Sequence, residues 1–363
     1  MPPFPSKAMS HPTTTTTTLT LTLTHTLRRR IAATSAPFLP LQPRRTVISA
    51  ASAAAHMLCA PQATTKRTRR QILDGNQLQK LSLALQRPLL YKDTDVSERA
   101  PRRGTPLPPG YHLAYFTPVG LEGALGADGT DRAFNPPPPF TRRMWAGGRM
   151  TWPRGSTRLL CVGAEVEERT RLVGASAKTG SDGQEMVLVQ VDKQFWVKRG
   201  LALIDQRTWI FRKEIDEPSE AAQMPLRDAV VTGPSTVKDV HRKIGYSYRE
   251  LRWSPVGLFR FSALTFNGHR IHYDPSWCAT VEGHRGCVVH GPLNLINMLD
   301  YWRDGHPDHV VKEITYKATA PLYAGDTYRI RSSRAKELEQ GKEWELLVQK
   351  DKEVCMRGTI VSH

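Results

Sequence analysis

The same short strand-like sequence occurs twice in this chain. LVQVDKQ at 188–194 matches LVQKDKE at 347–353. A second pair precedes the first in the same order, because GSTRLLCVGAEVEER at 155–169 and GDTYRIRSSRAKELE at 325–339 both open on glycine, a polar residue and threonine. Two matches in one order predict an internal repeat, so the chain has to build one folding unit twice.

Apolar spacing predicts what each unit contains. Helical spacing occurs at 72–90 in the first copy and at 291–303 in the second. Alternating strand-like runs follow each helix, at 157–168, 185–197 and 202–211, and again as VVKEITYKATAPL, DTYRIRSSRAKEL and EWELLVQKDKEVCMRGTIV. One long helix with several antiparallel strands, used twice, predicts an α+β fold whose two sheets join edge to edge.

Composition divides the chain into four segments: 1–70, 71–213 (first copy), 214–236 (a polar linker with Pro and Gly) and 237–363 (second copy). The sequence also predicts the secondary structure of three shorter pieces of the first copy. GYHLAYF at 110–116 is predicted to form a strand, whereas GADG at 126–129 and WAGG at 145–148 are predicted to form turns.

The N-terminal segment is rich in Ser, Thr, Ala and Arg, and the first acidic residue of the chain is Asp74. Much of the formal net charge of +17 is concentrated there. This composition is typical of a transit peptide and predicts import into the mitochondrial matrix. A disordered basic tail without targeting function is the alternative.

The remaining chain is mildly basic, which suits an acidic partner such as a carrier protein or a phosphate-bearing cofactor. Motifs for nucleic-acid binding are absent, and no run reaches about 18 apolar residues, so neither nucleic acid nor a membrane span is predicted. The five cysteines lack CxxC spacing and indicate a reducing compartment.

The polar cluster NGHRIH at 267–272 directly follows an apolar run. Histidine exchanges protons near neutral pH, so this cluster is a candidate catalytic site. The spacing of His269 and His272, with His284 and His290 nearby, also allows a metal. Because no clustered cysteine or carboxylate completes a ligand set, no metal is predicted.

NGHRIH, CVVHGPL at 287–293 and PLYAGD at 321–326 resemble, in order and spacing, the motifs of the MaoC-like hotdog dehydratases and hydratases. Together with RRMWAGG at 142–148, the chain is similar to mitochondrial hydroxyacyl-thioester dehydratases type 2 and to mesaconyl-C4-CoA and itaconyl-CoA hydratases. The resemblance covers most of 100–363. It implies a double hotdog fold, in which each of two tandem units wraps an antiparallel sheet around a long helix, and it implies no cofactor.

The resemblance also implies the catalytic residues. His272 would move the proton, and the backbone N–H of Gly291 would stabilise the thioester oxygen, a role that its place at a predicted helix start supports independently. The family motif has Asp where this chain has Asn267. An amide–histidine pair therefore replaces a carboxylate–histidine pair, and Asn267 is predicted to orient water through its carbonyl oxygen.

Four more residues are predicted to bind substrate: Arg270, Tyr273, His290 and Trp145. Arg270 or Arg143 would suit a substrate with a second carboxylate. The first copy has no equivalent of the Asn267–His272 pair. It is therefore predicted to be a degenerate unit that shapes the acyl pocket, which leaves one active site per chain.

The resulting expectation is a 3-hydroxyacyl-thioester dehydratase that acts on acyl carrier protein substrates in mitochondrial fatty acid synthesis. The acidic carrier would contact a basic patch, which is otherwise a solvated face: Lys238, Arg242, Lys243, Arg249 and Arg252. The alternatives are a mesaconyl- or itaconyl-CoA-type hydratase and a non-catalytic thioester-binding protein. The sequence leaves the carrier (acyl carrier protein or CoA) and the oligomeric state open, and a homodimer is one candidate.

Overall fold

A computed structural model describes residues 48–153, 158–180, 182–215, 232–241 and 247–363. The helices are α1 (Ala50–Cys59), α2 (Pro61–Thr64), α3 (Gly75–Ala84), α4 (Pro255–Leu264), α5 (Pro275–Thr280) and α6 (Gly291–Gly305). The strands of the first half are β1 (Arg67–Ile72), β2 (Leu89–Tyr91), β3 (Thr94–Asp95), β4 (Arg142–Thr151), β5 (Glu165–Thr179), β6 (Glu185–Val197) and β7 (Gly200–Arg212). Those of the second half are β8 (Thr236–Val240), β9 (Tyr248–Arg252), β10 (Val311–Ala318), β11 (Thr327–Ser332), β12 (Lys336–Glu337), β13 (Lys342–Lys350) and β14 (Glu353–Ser362).

All strands except β2 and β3 form one antiparallel sheet, in the order β1-β5-β6-β7-β4-β10-β14-β13-β11-β9-β8, with β12 paired to β13. The order β1-β5-β6-β7-β4 in the first half is repeated by β9-β11-β13-β14-β10 in the second. The two matching sequences LVQVDKQ and LVQKDKE begin on the equivalent strands β6 and β13. The predicted repeat and the edge-to-edge joining of its sheets are therefore confirmed.

The two halves meet where β4 pairs with β10, with Gly148 opposite Tyr316. A Cβ on Gly148 would lie 2.5 Å from the Tyr316 hydroxyl, and one on Gly147 would lie 2.4 Å from the Tyr316 carbonyl oxygen. Only glycine permits this close approach. The prediction of a turn for WAGG is wrong, because its glycines are required by strand packing at this seam.

In the second half, helix α6 packs over the inner face of β11 and β13. Leu293, Ile296, Leu299 and Trp302 repeat at helical spacing and are all buried, as the sequence predicts. They join Leu346 and Val348 of β13 in one hydrophobic core. The second half thus has the long central helix that the hotdog arrangement requires.

The helix that the sequence predicts in the first half is shorter than α6. The predicted helix at 72–90 is limited to α3, and Ile72 belongs to strand β1. Between α3 and β4 the chain has short 3-10 turns, one of them at Tyr111–Ala114, where the sequence predicts a strand. Described residues of the first half therefore contain no helix comparable to α6.

Folded structure begins inside the segment assigned to the presequence. Ala50, Ala53, Ala54 and Met57 lie on one face of α1 and are buried in a core with strand β6. Strand β1 pairs with β5 along the sheet edge. The predicted boundary at residue 70 is therefore too late, because an alanine-rich stretch that looks like leader sequence covers apolar strand residues. Residues 1–47 lie outside the described part of the chain.

The linker prediction falls mostly outside the described residues. Strand β7 ends at Arg212 and β8 begins at Thr236, so regular structure stops and restarts close to the ends of the predicted linker. Residues 216–231 are not described. None of the described helices is long and apolar enough to cross a bilayer.

Candidate active site

A cavity of about 880 Å³ lies between the two halves. Its second-half wall comes from the NGHRIH segment, the stretch before α6 and the start of α6. Its first-half wall comes from the inner faces of β4, β5, β6 and β7. Of the residues predicted to form the site, five line this cavity: Asn267, His272, His290, Gly291 and Trp145.

His272 is held by a backbone hydrogen bond. It lies in a 3-10 turn, Arg270–His272, and its Nδ1 is 2.8 Å from the carbonyl oxygen of Val288. A carbonyl oxygen can only accept, so Nδ1 carries the proton and Nε2 carries the lone pair. The fold therefore fixes His272 in the tautomer that acts as a base through Nε2.

Three imidazoles pack together around this base. The His272 ring stacks on that of His290, with centroids 3.6 Å apart, and His269 meets His272 edge to face at 5.4 Å. Burial lowers the pKa of His272 to about 4, and burial together with the neighbouring rings lowers the pKa of His269 and of His290 well below its usual range. All three rings are therefore neutral at neutral pH.

Asn267 forms a local turn. Its Oδ1 accepts the backbone N–H of His269 at 3.1 Å. The GADG turn of the first half supports the same segment, because Gly129 lies so close to Gly268 that a Cβ there would be 2.0 Å from the Gly268 carbonyl oxygen. The carbonyl group predicted to orient water thus already has one protein donor, and one lone pair remains for a second.

Gly291 begins helix α6, directly before Pro292. Its N–H belongs to the first turn, where N–H groups have no intrahelical acceptor and the helix dipole favours negative charge. A Cβ at this position would lie 3.1 Å from the Trp145 ring, so glycine allows the indole to pack against the helix start. Trp145 itself stacks on Tyr316 at the seam.

Two predicted substrate-binding residues do not line the cavity. Arg270 pairs with Asp274 at 2.7 Å and lies over the ring of Trp277 at 4.0 Å. Tyr273 is 43% exposed and donates its hydroxyl to the carbonyl oxygen of Gly268. Both side chains contact the outside of the segment that carries His272, so the structure does not bring them together with the five residues that line the cavity.

Sequence reasoning missed several polar residues of the wall. Asn294 on α6 lines the cavity and accepts the Tyr328 hydroxyl at 2.5 Å. Behind the wall, Ser262 bonds to His290 Nε2 at 2.8 Å. On the first-half wall, Lys193 and Arg207 line the cavity although they lie on inner-facing positions of β6 and β7. The signal was present in the strand alternation, which is apolar at Val187, Val189 and Val191 and then places Lys193 on the same face.

The arrangement offers acid–base chemistry on a bound ligand. A fixed neutral imidazole, a helix-start N–H and an amide line one cavity. Among the described residues, no group of three or more His, Cys, Asp or Glu side chains is arranged to hold a metal.

Comparison with known proteins identifies the family. The family described as "Hydroxyacyl-thioester dehydratase type 2" matches residues 110–324, which is more than half of the chain. This chain belongs to that family. Membership makes it a hydro-lyase of the dehydratase and hydratase type, and the resemblance inferred from its motifs is confirmed.

Two curated relatives of this type 2 dehydratase family member each match more than 60% of the chain. It is 30% identical to a mesaconyl-C(4)-CoA hydratase of Chloroflexus aurantiacus over 236 residues, which are 64% of this chain and 76% of the relative. It is 25% identical to the mitochondrial hydroxyacyl-thioester dehydratase type 2 of Schizosaccharomyces pombe over 236 residues, 62% of this chain and 77% of the relative.

Solved structures agree on the fold of this family member. A MaoC-like dehydratase matches with a TM-score of 0.54 at 12% identity, covering 84% of this chain and 98% of its own. A MaoC-like dehydratase from Phytophthora capsici matches with a TM-score of 0.54 at 14% identity, covering 82% and 95%. The predicted α+β double hotdog is confirmed.

Proposed function

We propose that the chain catalyses the reversible hydration of trans-2-enoyl thioesters at a single site, with His272 as the group that moves the proton. The observation that carries this proposal is the fixed tautomer of His272 in the cavity where α6 begins. Asn267 and Gly291 line the same cavity.

In the hydration direction, His272 Nε2 accepts a proton from water as the water oxygen bonds to Cβ of the enoyl group. The electron pair of the C=C bond moves toward the thioester carbonyl, and the Gly291 N–H stabilises the negative charge on its oxygen. The imidazolium then returns the proton to Cα, which restores the C=O bond and leaves the 3-hydroxyacyl thioester. Asn267 positions the water through the remaining lone pair of its Oδ1.

The test is the rate of crotonyl-CoA hydration by the purified full chain. The His272→Ala variant is expected to lose about 10²- to 10⁴-fold in kcat, the usual range for removing a general acid–base. His241→Ala removes an exposed histidine of the described chain and serves as the matched control. If His272→Ala hydrates crotonyl-CoA at the rate of the control, the assignment of His272 is wrong.

The proposed pathway is mitochondrial fatty acid synthesis in the matrix, with acyl carrier protein or CoA as the carrier. The similarity to the mitochondrial protein of Schizosaccharomyces pombe and the acid-free N-terminal segment support it. The basic patch predicted to meet the carrier has to be revised, because Arg249 is buried between Asp239 and Asp304. Lys238 is exposed, and Arg242 and Lys243 lie outside the described residues.

A second candidate is hydration of a dicarboxylic acyl-CoA, as in the mesaconyl- and itaconyl-CoA hydratases. It is favoured by the positive charge of the cavity wall, where Arg143, Lys193 and Arg207 all occur. Both candidates need only one chain for the site, since both walls come from the same polypeptide. The third reading, a non-catalytic thioester-binding protein, is set aside because the chain belongs to a family of hydro-lyases.

A further inference from the structure

Helices α3 and α4 occupy equivalent places in the two halves. Each follows an equivalent strand, β1 or β9, after two intervening residues, and each has ten residues. Every residue of α4 therefore lies 180 positions after its counterpart in α3, and LQKLSLALQ at 78–86 corresponds to LFRFSALTF at 258–266. What α4 carries at a given position can thus be compared with what α3 carries at the same position.

The two helices begin and end alike. The N-cap side chain of α3 accepts the backbone N–H of Gln77 at 2.9 Å, and that of α4 accepts the backbone N–H of Gly257 at 3.1 Å. Two residues past each helix the backbone has a positive φ, 61° at Gln86 and 46° at Phe266. The inward positions are apolar and buried in both helices: Leu78 and Leu81 in α3, Leu258 and Phe261 in α4. The outward positions are therefore where the two helices can differ without a change of fold.

The outward positions are polar on α3 and apolar on α4. They are Asn76, Gln79 and Gln86 on α3, and Val256, Phe259 and Phe266 on α4. We call the last three residues the α4 stripe. Their exposed fractions are 66%, 59% and 63% in that order. Contiguous exposed apolar side chains mark interaction sites, and the polar counterparts on α3 show that the fold does not require them.

The surface around the α4 stripe carries positive charge. Arg260 follows Phe259, is exposed and forms no ion pair within the described part of the chain. Its counterpart Lys80 is exposed as well. Neither α3 nor α4 contains Asp or Glu, and the helices meet where Gln77 donates to the carbonyl oxygen of Leu264 at 2.8 Å. This surface is complementary to a partner that combines acidic and apolar side chains.

The size of the α4 stripe fits a transient partner. A Phe side chain buries about 150–250 Å² when it is fully covered, so three half-exposed apolar side chains offer only a few hundred Å². A stable dimer needs about 800 Å² from each partner, which argues against a second copy of this chain. Val256 and Phe266 are about 15 Å apart at helical rise, the length of a short helix laid along α4.

The α4 stripe also lies close to the candidate active site. On the inner side of the same segment, Thr265 and Asn267 line the cavity. A partner on the stripe is thus separated from the cavity by one helix thickness, about 10–12 Å. The cavity reaches the surface at Val119, which lines it and is 74% exposed. The loop after Val119 meets the chain just beyond the stripe, because a Cβ on Gly268 would lie 3.6 Å from Leu125 Cδ1.

We propose that the α4 stripe, together with Arg260, docks an acidic acyl carrier protein that presents its thioester to the cavity on a flexible arm. This inference rests on the proposed hydration and names the partner that delivers the substrate. Coenzyme A carries the same thioester without a protein surface. Its thioesters should therefore react independently of the stripe, which separates docking from chemistry.

The experiment compares one crotonyl group on two carriers, a purified holo-acyl carrier protein and CoA. The double variant Val256→Asn/Phe259→Gln gives α4 the residues that α3 has at the same positions, Asn76 and Gln79, so the fold should be kept. Its kcat/KM for the crotonyl carrier protein is expected to fall at least about tenfold, as for truncation of an interface aromatic. Its kcat/KM for crotonyl-CoA is expected to stay within about twofold of the wild-type value.

Arg260→Gln tests the charge at this surface. In the wild-type protein, kcat/KM for the crotonyl carrier protein should fall as NaCl is added, because salt screens the attraction between the carrier and exposed cations. Arg260→Gln should weaken this salt dependence. Val173→Asn is the matched control for the apolar-to-polar change, since Val173 is 51% exposed on β5, and it should leave both carriers unaffected.

Three outcomes overturn the inference. An equal loss with both carriers would mean that the stripe only supports the site, and no loss with either would mean that the carrier does not contact it. A wild-type dimer that dissociates in the double variant, measured by sedimentation, with carrier selectivity unchanged would assign the stripe to a second copy of the chain. Failure of the proposed function looks different, because the wild-type protein would then hydrate neither thioester. Binding of a fluorescently labelled carrier, measured by anisotropy, would still test the stripe.

Discussion

The two halves of this protein share one strand order but cover their inner faces differently. In the second half, Leu346 and Val348 of β13 belong to an apolar core beneath the long helix α6. In the first half, the described chain has no helix of that length, and Lys193 follows Val191 on the inner face of β6. A face that a helix covers has to be apolar. A face that borders a cavity is free to carry charge, so one topology gives an apolar core in one half and a charged cavity wall in the other.

The largest effect is expected from placing a lysine on the helix-covered face. Val348→Lys puts an ammonium group at a fully buried position of β13 with no cavity to receive it. Burying an unpaired charge should cost more than about 4 kcal/mol of unfolding free energy. Urea denaturation of the purified variant should show this loss or a failure to fold.

Val173→Lys is the matched control, because Val173 of β5 is 51% exposed. It should change the unfolding free energy by less than about 0.5 kcal/mol. If Val348→Lys were as stable as this control, the second-half face would tolerate charge as the first-half face does, and the contrast between the halves would be lost.

The next effect concerns acid stability and the imidazole cluster of the second half. The pKa of His272 is about 4 in the folded chain, whereas an unfolded histidine titrates near 6.5. Between these values the unfolded chain binds more protons than the folded one, so the unfolding free energy falls as pH falls from about 6.5 to about 4. His272 alone should contribute roughly 3 kcal/mol to this fall.

Denaturation curves at a series of pH values measure this slope. His272→Gln should flatten it in that window, since the titrating group is gone, whereas His241→Gln removes an exposed histidine and should keep it. An unchanged slope in His272→Gln would show that His272 does not titrate on unfolding. The assignment of a buried, neutral imidazole to His272 would then be wrong.

The sequence predicts the elements that depend on local periodicity. Strand β6 matches the predicted run at 185–197, and α6 matches the helical spacing that starts at 291. The errors arise where tertiary contacts override a local signal. WAGG is rich in glycine because β4 lies against Tyr316, and the segment 50–59 is rich in alanine because α1 packs closely on strands.

The same division applies to the site. Motif order predicted two residues that line the cavity, His272 and Gly291, because each lies in a short segment, a turn and a helix start. Lys193 and Arg207 were missed because their position in the cavity wall depends on which strands lie side by side. Arg270 was assigned to substrate although Asp274, four residues later, is its partner. An oppositely charged residue four positions away is visible in the sequence. It indicates that a charged residue forms a local ion pair and does not bind substrate.

The smallest effect is expected at Asn267, which has no equivalent in the first half. Asn267→Ala removes the acceptor proposed to position water but leaves the proton carrier, so kcat for crotonyl-CoA should fall about tenfold, less than in His272→Ala. Asn267→Asp restores the carboxylate of the family motif. A negative charge near His272 favours its protonated form and raises its pKa.

The pH dependence of kcat/KM separates these two changes. In the wild-type protein the acid limb should have its inflection near pH 4, the pKa of His272, and in Asn267→Asp the inflection should move to higher pH. Asn76→Ala, an exposed amide on α3 of the first half, should leave both the rate and the profile unchanged. If Asn267→Ala lost as much activity as His272→Ala, the amide would be as essential as the imidazole. Asn267 and His272 would then act as one unit, because water that the amide does not hold in place cannot pass its proton to the imidazole. The second half would differ from the first by this pair rather than by the histidine alone.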